Sequence, residues 1–209
     1  MTLEKQLAEY LLQIKAIKLD PATPFTWASG WKSPIYCDNR KTLSYPEIRT
    51  FVRDAFVSRI REHYPEVACI AGVAMGAIGI GVLVADRMNL PFVYVRSRPK
   101  EHGLENMIEG EVVKDRKTVV VEDLISTGRS SLSAVTALRG AGMPVLGMGA
   151  IFTYNFPLAE EKFREAGCLL FTLTDYHHLI DVAVNSGYVK ETQMETLKQW
   201  RTDPGNWKK

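Results

Sequence analysis

The run Thr118-Val119-Val120-Val121-Glu122-Asp123-Leu124-Ile125-Ser126-Thr127-Gly128-Arg129-Ser130-Ser131 constrains the fold more than any other part of the chain. Four residues of strand character lead into two adjacent carboxylates. A short Ser/Thr/Gly turn follows, and then a helical pattern of Ala134, Val135 and Leu138 that ends at Gly140. A short unbroken Val run fits a strand buried on both faces of a parallel sheet, and ligands of such sheets bind at the carboxyl ends of the strands. The N–H groups of the turn and the helix N-terminus attract an anion. Glu122 and Asp123, placed just before the turn, can reach hydroxyls or a metal. The layout suits a sugar that carries a phosphate. A P-loop needs Gly-x-x-x-x-Gly-Lys-Ser/Thr, a run that occurs nowhere in the chain. Taken piecewise, the segment also reads as a buried strand, a polar turn and an ordinary capped helix.

The rest of the chain supplies the matching pattern. Leu3, Leu7, Leu11, Ile14 and Ile17 recur at helical spacing, and a polar, aromatic segment from Pro21 to Lys41 follows. Pro46 stands as a first-turn proline ahead of Ile48, Val52, Ala55, Phe56 and Ile60. Then come a strand (67–71), a helix (78–88), a strand (92–95), the segment above, a strand (145–151), a helix (158–166) and a strand (169–173). Alternating strands and helices predict an α/β fold, a mostly parallel central sheet flanked by helices. At 209 residues the chain needs no second domain to bury a core. Residues 204–209 are expected to form a loosely held tail.

Composition excludes several classes. A net charge of +2 gives no electrostatic reason to expect nucleic acid or a membrane surface. Cys37, Cys69 and Cys168 are odd in number, far apart and without metal-ligand spacing, so free thiols of a cytoplasmic protein are expected. No apolar run reaches membrane-spanning length, and the start of the chain lacks a signal-peptide stretch.

Three further segments carry candidate chemistry. Gly72-Val73-Ala74-Met75-Gly76-Ala77 follows a strand, and its small residues let backbone approach a ligand or simply pack a helix. Arg96-Ser97-Arg98-Pro99-Lys100-Glu101-His102-Gly103 is either a solvated surface loop or a cationic cluster that converges on a polyanion. Phe25 to Asp38, with Trp27, Trp31, Lys32 and Tyr36, is either an aromatic loop pinned to the core or a wall for a planar ring. His63, His177 and His178 read as surface or packing residues.

The acid-pair-and-turn motif, Glu122 to Ser131, resembles the phosphoribosyl-pyrophosphate signature of type I phosphoribosyltransferases. The Arg96/Lys100/His102 run and the Ser29-Gly30-x-Lys32-Ser33-Pro34-x-Tyr36 segment are similar to orotate phosphoribosyltransferases, and the motifs occur in that family's order across nearly the whole chain. The resemblance implies one phosphoribosyltransferase domain over residues 1–209, with a small hood from about 1–40 plus the C-terminal region and a core at about 41–175. It implies transfer of phosphoribosyl to orotate with Mg²⁺, the metal bound mainly through substrate. Arg96, Lys100 and His102 are then catalytic and contact the donor pyrophosphate. Glu122, Asp123, Leu124, Ile125, Ser126, Thr127, Gly128, Arg129 and Ser130 bind the donor. Ala74, Met75 and Gly76 form a pyrophosphate loop, with a non-proline cis peptide near Ala74–Met75. Ser126, Lys32 and Tyr36 meet orotate. A homodimer sharing the 96–102 loop across its interface, with no nucleic-acid or membrane partner, completes what the resemblance implies. No attached decarboxylase domain is expected.

The chain departs from the enterobacterial type at several places. Ala28 and Ser97 stand where that type has lysines, and Tyr154 falls roughly where an orotate-contacting arginine is found. Arg129 replaces a small residue of the turn. The orotate carboxylate is then held otherwise, by hood backbone or Lys32. A phosphoribosyltransferase for another base and a non-catalytic regulator are the rival readings.

Overall fold

The computed structural model describes residues 1–27, 29–96 and 107–207. In chain order the elements are α1 (Leu3–Gln13), β1 (Ile17–Leu19), β2 (Phe25–Thr26), β3 (Lys32–Ser33), β4 (Ile35–Cys37), α2 (Pro46–His63), β5 (Cys69–Val73), α3 (Ile78–Met88), β6 (Phe92–Val95), β7 (Ile108–Glu109), β8 (Thr118–Ile125), α4 (Arg129–Gly140), β9 (Val145–Thr153), α5 (Pro157–Glu165), β10 (Leu170–Asp175), α6 (Tyr176–Asn185) and α7 (Met194–Thr202). A six-stranded sheet has the order β10-β9-β8-β5-β6-β7, parallel except for the edge strand β7. The expected α/β architecture is what forms.

Side-chain alternation along the central strands divides the core. Val119 and Val121 of β8 and Ile70 of β5 join α1, α2, α3 and α6 on one face. Val120 of β8, with Cys69, Ala71 and Val73 of β5, meets Ala134, Val135 and Leu138 of α4 and Phe163 of α5 on the other. The strand order reverses between β5 and β8. From β5 the chain crosses through α3 to β6 on one side, and from β8 through α4 to β9 on the other. A crevice opens above such a reversal at the strands' carboxyl ends, where the 72–77 and 122–131 segments lie.

Several boundaries differ from the sequence reading: β5 is shifted to Cys69–Val73, β9 runs on to Thr153, α5 starts at Pro157 and β10 runs on to Asp175. α1 stops at Gln13 because Lys15 takes a left-handed φ of 54° and Ile17 joins β1, paired with Cys37 of β4. β8 continues four residues beyond Val121, since its pairing with β9 persists to Ile125 opposite Thr153; Glu122 and Asp123 are therefore strand residues. The C-terminal tail is anchored through Trp207, which packs on the main core, and Gly205 lies near the Trp31 ring.

The N-terminal hairpin and the C-terminal helix meet in one aromatic cluster. Trp200 of α7, fully buried, packs against Trp27, Tyr154, Phe156 and Tyr176 with ring centroids 5.5–5.7 Å apart. Trp27 Nε1 donates to the Ile35 carbonyl at 3.0 Å, which ties the hairpin to β4.

Candidate functional site

A polar cavity of about 760 Å³ occupies the crevice above β5 and β8. Its walls are Cys37, Asp38 and Arg40 from the N-terminal segment, Val73 to Gly76 after β5, Glu122 to Leu124 of β8, and Ser126 to Ser130 with Ser133 around the start of α4. The chain reaches the turn through Gly128, whose φ of 74° suits a residue without Cβ. No side chain caps α4. The cap position is held by this glycine, which leaves the first turn of α4 without a side-chain acceptor, an arrangement able to receive an anion.

The two acids do different work. Glu122 is 4% exposed: its Oε2 accepts from Ser131 Oγ at 2.9 Å, and its Oε1 accepts from the Asp123 N–H at 2.9 Å. Burial, with the Asp123 charge next, pushes its carboxyl well above the usual glutamate range. Glu122 thus braces the first turn of α4 against β8. The Asp123 carboxylate lies against Gly76, where an added Cβ would overlap it. Asn39 Nδ2 donates to the Asp123 carbonyl at 2.6 Å, fixing the N-terminal wall to the strand. A cis peptide joins Ala74 to Met75, where the resemblance implied one.

A second cavity of about 250 Å³ adjoins the first through Cys37, Leu124 and Ser126. Thr26, Trp27, Tyr36 and Tyr154 complete its wall. Tyr154 is buried among the rings of Trp27 and Phe156, at 5.2 and 5.3 Å, and burial raises its phenol well above the ordinary tyrosine value. It stays a neutral donor at physiological pH.

The expected residues therefore separate into groups. Ala74, Met75, Gly76, Glu122, Asp123, Leu124, Ser126, Thr127, Gly128, Arg129 and Ser130 line the larger cavity, and Ser126 and Tyr36 the smaller. Ile125 is fully buried in the core between α4 and the sheet and supports the turn from below. Lys32 lines neither cavity; its Nζ donates to Thr26 Oγ1 at 2.9 Å. Arg96 is paired with Glu109 at 3.5 Å and lines neither cavity. Lys100 and His102, with Ser97 and Ala28, lie outside the described residues. Sequence reasoning missed Asp38 and Arg40, which line the larger cavity and pair at 2.7 Å. Their signal was a charged i,i+2 pair directly after the Ser-Pro-x-Tyr segment.

A Mg²⁺ ion fits this donor set. Asp38 and Asp123 offer hard oxygens at the larger cavity, and no group of three or more His, Cys, Asp or Glu able to hold a metal occurs among the described residues. Such a sparse set suits an ion that keeps most of its coordination from water and a phosphorylated substrate.

Comparison with known proteins agrees with the geometry. The sequence profile of the phosphoribosyl transferase domain matches residues 44–184, the stretch that builds most of the sheet and the larger cavity. Orotate phosphoribosyltransferase of Bacteroides fragilis is 60% identical over 205 residues, covering 98% of this chain and 97% of the relative. That of Cytophaga hutchinsonii is 56% identical over 209 residues, with both chains covered in full. The crystal structure of orotate phosphoribosyltransferase from Aeropyrum pernix superposes with a TM-score of 0.76 at 25% identity, covering 88% of this chain and 99% of that one. The chain belongs to the orotate phosphoribosyltransferase family of the phosphoribosyltransferases.

Two outcomes follow from the acid pair. Gly76→Ala is expected to displace the Asp123 carboxylate and weaken binding of ribose 5-phosphate by about tenfold or more, read by equilibrium titration; unchanged affinity contradicts the packing described. Glu122→Gln tests the buried carboxyl. Because the folded state raises its pKa, the folded chain keeps the proton after the unfolded chain has lost it. The stability this contributes is complete below the ordinary glutamate range and is lost as pH rises above it. Wild type should therefore lose stability relative to Glu122→Gln as pH rises above the ordinary glutamate range, measured by urea unfolding; parallel profiles contradict a raised pKa.

Proposed function

We propose that the chain transfers the 5-phosphoribosyl group of 5-phosphoribosyl 1-pyrophosphate to orotate, giving orotidine 5′-phosphate and pyrophosphate, in pyrimidine nucleotide synthesis. The single observation that carries this reading is the pair of adjoining cavities. A large polar one beside a helix start suits the phosphorylated sugar, and a small aromatic one suits a planar base. They meet at Leu124 and Ser126, where sugar and base must be joined.

The roles follow from position. N–H groups from Ser126 to Ser130 grip the 5′-phosphate. Asp123 takes the ribose hydroxyls and faces the positive charge that develops on the sugar as the C1–O bond breaks. Glu122 reaches a hydroxyl by exchanging its bond to Ser131 for one to the sugar. Ala74, Met75 and Gly76 present backbone to the pyrophosphate, with Arg40 at the same wall. Arg96, Lys100 and His102 add positive charge to the leaving group, and preorganised charge of this kind is the larger part of catalysis in many enzymes. Mg²⁺, when bound, neutralises the same phosphates. As the bond to C1 forms, the ring nitrogen of orotate gives up its proton to the leaving pyrophosphate or to solvent, so no strong general base among the side chains is required.

The active species in this reading is a cytoplasmic homodimer, with the 96–102 segment of one subunit serving its neighbour's cavity. Arg96 lines neither cavity of its own chain, which is compatible with that division. Among the described residues no helix is long and apolar enough to cross a membrane.

Loss of orotate absorbance on adding the donor and Mg²⁺ tests the function. Turnover of orotate, with hypoxanthine and uracil left unchanged, is expected. Turnover of another base in place of orotate, or none of any base, contradicts the reading.

A further inference from the structure

The smaller cavity has to accept an anionic base, yet none of its seven described wall residues is a lysine or arginine. A cation hydrogen-bonded to a residue of this wall is Lys32, exposed on the hairpin beside it. Thr26 of β2 and Lys32 of β3 are directly opposed in an antiparallel pair, so their side chains project from the same face of the hairpin. That register brings Lys32 Nζ to 2.9 Å from Thr26 Oγ1.

The chemistry of this contact has one orientation. An ammonium group has three N–H donors and no acceptor, so the threonine oxygen must accept and its own O–H must point elsewhere. Thr26 lines the cavity. A hydroxyl whose oxygen already accepts from a cation is a stronger donor through its hydrogen, because successive hydrogen bonds polarise one another. The neighbouring wall residues Tyr36, Ser126 and Tyr154 are neutral hydroxyl bearers, which leaves Thr26 as the wall hydroxyl with a recorded cation bonded to it.

We propose that the Thr26 hydroxyl, backed by the Lys32 ammonium across the β2–β3 pair, is the specificity-determining donor to the anionic group of the pyrimidine base. Thr26 touches the base, and Lys32 is a positioning residue that acts through it. Negative charge is recognised by one relayed hydrogen bond rather than by an arginine fork. The position equivalent to such an arginine, Tyr154, is committed to the aromatic cluster that joins hairpin, β9 and α7. The register makes the arrangement specific: a slip of one residue between β2 and β3 would turn Lys32 to the opposite face.

This inference rests on the proposed orotate transfer, and steady-state kinetics separate the two. Wild-type turnover of orotate tests the transfer; the variants test the relay. Thr26→Val keeps shape and removes the hydroxyl. It should raise the KM for orotate by about tenfold while the donor KM and kcat stay within about twofold. Thr26→Ser should restore most of the affinity. Lys32→Met should raise the orotate KM by a smaller factor in the Thr26 background, and should have no further effect once Thr26 is valine. An orotate KM for Thr26→Val within twofold of wild type overturns the proposal. So does a Lys32→Met effect of equal size with and without the hydroxyl, because Lys32 would then act directly. A parallel rise in the donor KM would mark general damage to the hairpin and also count against the relay.

Discussion

The site depends on how far β8 remains paired. Had the strand ended at Val121, the acid pair would sit in a loop with both carboxylates free to move. Instead β9 holds it on one side as far as Ile125, and β5 on the other as far as Val121. Both acids are therefore fixed by the sheet. Glu122 is driven into the gap beneath α4 and Asp123 is set against Gly76. The helix start, the Asp123 carboxylate and the 74–76 turn are thereby fixed relative to one another before any ligand arrives, which is the condition for electrostatic preorganisation.

A second constraint is imposed from outside the sheet. The hairpin formed by β2 and β3, the buried Tyr154 and Trp200 of α7 make one aromatic block over the smaller cavity. Residues nearly the whole chain apart in sequence, Trp27 and Trp200, thus share one packed cluster. This couples the C-terminal helix to the base side of the site, although α7 contributes no described side chain to either cavity. It also explains why position 154 can lack a cation: its ring is occupied in packing, and charge recognition passes to the opposite wall.

Most of the parallel sheet was legible because its signals are local. The Val run of β8, the span of α3 from Ile78 to Met88, β6 from Phe92 to Val95 and the end of α4 at Gly140 agree with the structure to the residue. The turn that opens α4 was legible for the same reason, since its Ser/Thr/Gly signal is local. What escaped depended on contacts distant in sequence. The extension of β8 requires β9, the burial of Glu122 requires Ser131, and the anchoring of Trp207 requires the core. Asp38 and Arg40 become site residues only because Asn39 is bonded to the Asp123 carbonyl on another element. Lys32, expected at the base, lines neither cavity, and its bond to Thr26 could not be read because strand register is not written in so short a hairpin.

The central claim is that the β8 carboxyl end and the α4 start form a preorganised donor site, with Asp123 as its sugar-facing acid. Calorimetric titration of 5-phosphoribosyl 1-pyrophosphate with Mg²⁺ into wild type and Asp123→Asn tests it most directly. One saturable site per chain is expected, weakened by about tenfold or more in the variant with thermal unfolding little changed. Equal affinity in the two proteins, or no saturable binding by wild type, would contradict the account.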